Sequence, residues 1–164
     1  MEYYLIYQDN RIENFAEPMG VSKIINMDDL PVQFYIKDKS ENEYIDFIEK
    51  PVTLISEKLK QIFEIYQKGI FYKPVVLADK KRMRQDLYWL MLPQKRECLS
   101  LQTEFNKNDT IKRIVIDEKK AGNYSIFSID GIIENFIVVN LDVAESVLRS
   151  DFFGIKFKKV EVEC

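Results

Sequence analysis

The sequence predicts an α+β fold: a mainly antiparallel sheet with two short amphipathic helices packed on it. Three observations lead there. Short apolar runs bounded by turn residues are the commonest pattern in the chain. Two windows carry apolar residues at helical spacing, Leu59-Ile62-Phe63-Tyr66 and Val143-Ala144-Val147-Leu148. Hairpin signals outnumber strand–helix–strand signals, which favours antiparallel pairing. With 164 residues, 46% apolar and 13% aromatic, the chain has enough material for a core and reads as a single domain, 1–164.

In order along the chain, Glu2–Gln8 is an apolar and aromatic first strand. From Asp9 to about Leu30 the sequence is polar and turn-rich, with Val21, Ile24 and Ile25 as candidate buried anchors. Val32–Ile36 and Tyr44–Ile48 flank a charged turn, Asp38–Glu43, and are expected to form a hairpin. Ser56 is an N-cap for a helix that ends near Lys68 and Gly69. Phe71–Ala78 is a strand whose Pro74 points to an edge or a bulge. Leu87–Leu92 is apolar throughout, as a central strand would be, and Trp89 within it reads as core. Gln94–Asp109 is irregular apart from an extended Cys98–Leu101. Ile111–Ile116 is a strand, and Tyr124–Ile129 and Ile132–Val139 form a hairpin about a tight Asp130-Gly131 turn. Asn140 caps a second helix over Leu141–Ser150, and Phe152–Val160 is the last strand.

One pattern occurs twice. An apolar strand, a polar cap, a short helix, a glycine and a strand run from Val52 through Ser56 to Gly69-Ile70-Phe71-Tyr72-Lys73. They run again from Phe136 through Asn140 to Gly154-Ile155-Lys156-Phe157-Lys158. Cap, stripe and glycine stop produce that likeness by themselves, so the two units read as scaffold.

Composition removes several chemistries. The chain has no histidine, which excludes Ser-His-Asp and Cys-His nucleophile activation. Its five glycines are too dispersed for a phosphate-cradling loop. Cys98 and Cys164 make neither a disulfide framework nor a zinc pattern. No secretory signal or membrane span is expected, which points to a cytoplasmic protein. The net charge of −3 is uneven: −6 over residues 1–50, +5 over 51–100 and −2 over 101–164.

Three clusters are candidates for chemistry. Asp38, Ser40, Asn42, Asp46 and Glu49 fall on calcium-loop positions, but Glu43 stands where that loop needs glycine and the flanks read as strands. A charged hairpin turn is therefore expected there, with no metal. Lys80-Lys81-Arg82-Met83-Arg84 has the composition of a phosphate contact, yet the aromatic residues nearby lack the spacing of a stacking platform. A solvated connection is expected, without nucleic acid. Asp117, Glu118, Asp130 and Glu134 are the residue types for acid–base catalysis, but strand-end surface charge is the ordinary role for such residues.

A family resemblance rests on Leu54-Ile-Ser56-Glu-Lys-Leu59-Lys, Gly69-Ile-Phe-Tyr-Lys-Pro-Val, Tyr88-Trp-Leu-Met, Cys98-Leu, Ile114-Val-Ile-Asp-Glu118, Ile126-Phe127, Phe136-Ile-Val-Val and Phe153-Gly-Ile-Lys-Phe157. In order and spacing these resemble the immunity proteins of bacterial polymorphic toxin systems once filed as a domain of unknown function, DUF1629. The resemblance covers about residues 45–160, leaving 1–45 as an N-terminal strand and hairpin region. It implies a non-enzymatic cytoplasmic protein, without cofactor, that binds a cognate toxin domain and occludes its active surface; it carries over no catalytic residue. Many such toxins act on nucleic acids through basic clefts. That makes Asp38, Glu41, Glu43, Asp46 and Glu49 the candidate partner surface, with Tyr35 or Tyr44 as aromatic anchors. A small carboxylate-dependent enzyme and a regulatory or scaffold binding module are the alternatives, and the oligomeric state is open.

Overall fold

Most of the apolar runs become strands, and both stripes become helices, in the computed structural model, which describes residues 1–21 and 28–164. The candidate anchors Ile24 and Ile25 lie outside the described residues. In chain order the elements are β1 (Tyr3–Gln8), β2 (Val32–Tyr35), β3 (Phe47–Ile48), β4 (Leu54–Ser56), α1 (Glu57–Tyr66), β5 (Phe71–Asp79), β6 (Arg84–Leu92) and β7 (Lys95–Arg96). They continue with β8 (Glu104–Phe105), β9 (Ile111–Arg113), β10 (Val115–Asp117), α2 (Glu118–Ala121), β11 (Ile126–Ile129), β12 (Ile137–Asn140), α3 (Leu141–Arg149) and β13 (Ile155–Glu163). One sheet has the order β2-β5-β6-β4-β3, another β10-β13-β1-β12-β11-β7, and β8 with β9 makes a separate two-stranded ribbon. The class is α+β as expected, with two main sheets in place of one. Interior pairings are antiparallel, and the parallel pairs β2–β5, β10–β13 and β7–β11 each involve an edge strand.

The strands are apolar on both faces because both faces are covered. Alternate residues enter different cores. Ile6, Ile55, Met91, Ile126 and Val139 join Leu59 and Phe63 of α1 and Val143, Ala144 and Val147 of α3 in one cluster shared by both sheets. Their neighbours Leu5, Phe127 and Val138 face a second cluster, and Leu54 and Leu90 a third. Each fully buried side chain of this size contributes about 1.5–3 kcal/mol relative to exposure.

Several expectations need correction. Val32–Ile36 and the Tyr44–Ile48 stretch do not form a hairpin: β2 pairs in parallel with β5, and β3, shortened to two residues, pairs with β4 at the opposite edge. Pro74 fits because β2 pairing begins only at Val75. Ile111–Ile116 divides at Ile114, β9 joining the ribbon and β10 the six-stranded sheet. The second hairpin exists as β11–β12, but Ile132–Phe136 belongs to its loop, so the turn is wide. Leu148 points outward at 70% exposure. A third helix, α2, was not foreseen; Asp117 caps it, accepting from Lys119 N at 3.0 Å and Lys120 N at 3.3 Å.

The doubled unit extends well beyond its caps. In each main sheet an edge strand runs parallel to the post-helix strand, followed by an antiparallel middle strand, the pre-helix strand and its hairpin partner. These are β2-β5-β6-β4-β3 in one sheet and β10-β13-β1-β12-β11 in the other. The registers superpose as well. Leu90 faces Leu54 and Lys73, as Leu5 faces Val138 and Lys158; Tyr88 faces Ser56 and Val75, as Tyr3 faces Asn140 and Val160. On this register Gly69 matches Gly154 and Ile70 matches Ile155. The contacts between the units are reciprocal, as in a two-fold interface. Within each unit the cap residue fixes an equivalent post: Ser56 N donates to Asp46 O at 3.0 Å, and Asn140 N to Ser125 O at 2.9 Å. The loop after α3 then bonds Asp46 of the first unit, while Gln67 after α1 accepts from Ser125 N of the second at 2.7 Å. The middle strand follows its unit in the first case (β6) and comes from the N-terminal segment in the second (β1).

Candidate functional site

Of the residues singled out in sequence, the structure gathers Asp38, Glu41, Glu43 and Tyr44 at one end of the five-stranded sheet. Two segments build this tip: the loop after β2, residues 37–44, and the β5–β6 turn, residues 80–83. Asp79 shapes the turn by accepting from Lys81 N at 3.1 Å and Arg82 N at 3.2 Å. Arg82 clamps the segments together. Its Nη1 donates to Asp79 Oδ2 at 2.9 Å, and its Nη2 to Lys39 O at 3.0 Å and Ser40 O at 2.6 Å. Asp79 is buried, and the Arg82 guanidinium holds its carboxyl below the usual carboxylate range. Behind the loop, Lys39 donates to Phe15 O at 2.9 Å, while Glu43 N donates to Asn14 O at 2.7 Å and Glu43 O accepts from Ala16 N at 2.8 Å.

This frame leaves Asp38, Glu41 and Glu43 exposed, beside Met83 at 91% exposure. The cations of the 80–84 run are engaged within the protein. Lys80 lies 4.1 Å from the Tyr35 ring centroid and Lys81 3.7 Å from Asp38, and Arg84 stacks 3.7 Å from the Tyr44 ring centroid while bonding Asp86 at 2.8 Å. The acidic third and the basic middle of the chain therefore meet here. Beneath the loop, the Asn42 amide and the Tyr44 hydroxyl are shielded and have no partner among the described residues. Burial also pushes the Tyr44 hydroxyl above its ordinary pKa.

Asp46 and Glu49 have other surroundings. Asp46 Oδ2 accepts from Phe153 N at 2.7 Å, and Asp46 N donates to Phe153 O at 2.8 Å, so it latches the second unit to the first. Glu49 N donates to Gln8 Oε1 at 3.0 Å. Its carboxyl, raised by burial, lines a cavity of about 960 Å3 with Glu17, Lys37, Ile133, Glu134 and Phe136. Glu17 is held low by its bond from Lys37. Glu134 Oε1 accepts from Ile111 N at 2.8 Å, and its Oε2 is shielded without a partner among the described residues. The calcium-like spacing is thus dispersed, with Asp38 on the tip, Asp46 in the latch and Glu49 at the cavity.

The other carboxylates weighed for catalysis hold separate posts. Asp117 caps α2, Glu118 pairs with the Met1 amine at 2.8 Å, and Asp130 accepts from Gly131 N at 3.0 Å. Trp89 is half-buried at the seam of β6 and α1, where Lys60 lies 4.4 Å from its ring centroid and its Nε1 donates to Glu57. Sequence reasoning missed the Arg82 clamp. Asp79 at the head of a polar turn, with arginine three residues on, was the available signal.

No helix among the described residues is long and apolar enough to cross a membrane. No protein-family model, curated protein or solved structure matches the chain.

Proposed function

We propose that the chain is an immunity protein: it binds a cognate bacterial toxin domain and neutralises it by covering its active surface. The observation that carries this reading is the tip. Three carboxylates stand exposed on a loop whose backbone is fixed by Arg82, Lys39 and the Asn14–Ala16 segment. A preorganised loop loses little entropy on docking, and its exposed carboxylates pair with basic groups of a partner. Arginine, tyrosine and methionine at the same end supply side chains enriched at interface cores. The resemblance to the immunity family points the same way.

The partner surface is narrowed to Asp38, Glu41, Glu43 and Tyr44, with Tyr35 and Met83 as apolar contributors. Asp46 is left out because reversing its charge would break the latch to Phe153 and confound any loss of protection. Co-expression tests the reading: cells producing the toxin domain encoded beside this chain should survive when the chain is present. Death at the same rate with and without it contradicts the proposal.

The cavity at Glu49 and Glu134 supports the second reading, a small carboxylate-dependent enzyme, because it joins a raised carboxyl to one with an oxygen that has no partner among the described residues. Glu49→Gln and Glu134→Gln decide between the two. Rescue survives both substitutions if the tip carries the function, and fails with either if the cavity does.

A further inference from the structure

The two units treat one lysine differently. Lys73 faces Leu90 across β5–β6, and Lys158 faces Leu5 across β13–β1, so they hold the same register position. Each has a valine two residues on, on the same sheet face: Val75 and Val160. In the first unit the ammonium is satisfied internally. Lys73 is 3% exposed, and its Nζ donates to Asp28 Oδ1 at 2.6 Å and to Asp28 O at 3.2 Å. In the second unit Lys158 is exposed. The ion pairs around it join Arg113 to Glu161 at 2.5 Å and Lys159 to Glu2 at 2.6 Å, and none among the described residues involves Lys158 or Lys112.

A groove of about 380 Å3 opens at this point. Its apolar lining includes Leu5, Ile111, Ile114, Phe136 and Val160, and Lys112 and Lys158 are among its cations. By register, Ile114 corresponds to Val32 and Phe136 to Val52, both of which pack onto the core around Lys73 in the first unit. The second unit thus has the apolar walls and the lysine of a carboxylate site whose internal counterpart is already filled by Asp28.

We propose that this groove binds a small monocarboxylate with an apolar body, its carboxylate taking at Lys158 the place Asp28 takes at Lys73. An apolar recess with a few convergent polar groups is the usual form of a small-molecule site. The ammonium orients the acid while the aliphatic and aromatic walls take the hydrocarbon. This site belongs to the other sheet from the tip and does not depend on toxin binding.

Amide chemical-shift titration of the whole chain tests it, with hexanoate as probe and hexanol as its uncharged twin. Hexanoate should shift the amides of Leu5, Ile114 and Lys158 saturably and bind about fivefold more tightly than hexanol, the factor expected for a partly exposed ion pair. Lys158→Met, a change at an exposed position, should remove that preference and leave hexanol binding unchanged. Equal affinities for the two probes, or a preference that survives Lys158→Met, would overturn the assignment. So would the absence of a saturable shift at millimolar probe. A response to an acetylated Asp-Leu dipeptide without one to hexanoate would also overturn it, making the groove a peptide reader.

Discussion

Gly154 packs tightly against Ile45 of the other unit, and replacing it by alanine tests that packing quantitatively. Three glycines share nearly the same positive φ, +83° at Gly69, +84° at Gly131 and +85° at Gly154. The left-handed strain of an added Cβ is therefore common to all three, about 1–2 kcal/mol. Their surroundings differ. A Cβ at Gly131 meets nothing within 4 Å, and one at Gly69 meets Gln94 Nε2 at 2.8 Å, the free end of a flexible side chain. A Cβ at Gly154 falls 2.5 Å from Ile45 Cβ and 2.6 Å from its Cγ2. Ile45 is fully buried and cannot swing away, so an overpacking cost of about 1–3 kcal/mol is added. Gly131→Ala and Gly69→Ala should each lose about 1–2 kcal/mol, and Gly154→Ala about 2–5 kcal/mol. Trp89, the single tryptophan, reports urea unfolding, and m-values show whether the transitions stay comparable. If Gly154→Ala loses no more than Gly131→Ala, the approach of the two units is not as tight as described.

Further outcomes follow from the same structure. Ser56→Ala should cost about 1 kcal/mol as an ordinary cap loss. Asn140→Ala should cost more in the same urea assay, because Asn140 both caps Val143 N at 3.1 Å and donates to Ser125 Oγ at 3.2 Å. Asp46→Ala should destabilise by about 1 kcal/mol, the net worth of a typical hydrogen bond, and should raise amide exchange at Phe153. The Arg11 guanidinium bonded to Asp9 holds its carboxyl at about 2. An unfolded aspartate titrates near 3.9, so the folded state gains stability that is complete above about pH 5 and is lost as pH falls toward 2. The difference in urea midpoint between wild type and Asp9→Asn should accordingly be constant near neutrality and narrow between about pH 4 and 2. A pH-independent gap would show that Arg11 does not hold Asp9 as described.

What the sequence made legible was local. Ser56 and Asn140 cap the two main helices because a polar residue before an apolar stripe satisfies orphan amides in any context. The apolar run at β6 became a central strand for the same self-contained reason, whereas β5, expected at an edge or a bulge because of Pro74, lies between β2 and β6. Partner choice was not legible. Val32–Tyr35 alternates as a strand must, but nothing in its residues distinguishes a hairpin with β3 from a parallel edge on β5. Asp46 looked like one more acid in a charged segment, and its partner, Phe153 N, lies 107 residues away. The opposite charges of the first and middle thirds show in the sequence only as sums. A single arginine, through two backbone carbonyls, brings them together. The doubled unit was visible only as a cap, stripe and glycine pattern, because its middle strands, β1 and β6, stand at different places in chain order.

The binding surface is tested most directly by titrating the purified neighbouring toxin domain with wild-type chain and with Glu41→Lys/Glu43→Lys, alongside Glu145→Lys on the exposed side of α3 as a charge-reversal control away from the tip. All three should unfold at the same urea concentration, since none of the altered side chains is buried. The double reversal at the tip should weaken binding by orders of magnitude, and the α3 reversal should leave it unchanged. Wild-type affinity in Glu41→Lys/Glu43→Lys would contradict the assignment of the tip as the surface that meets the toxin.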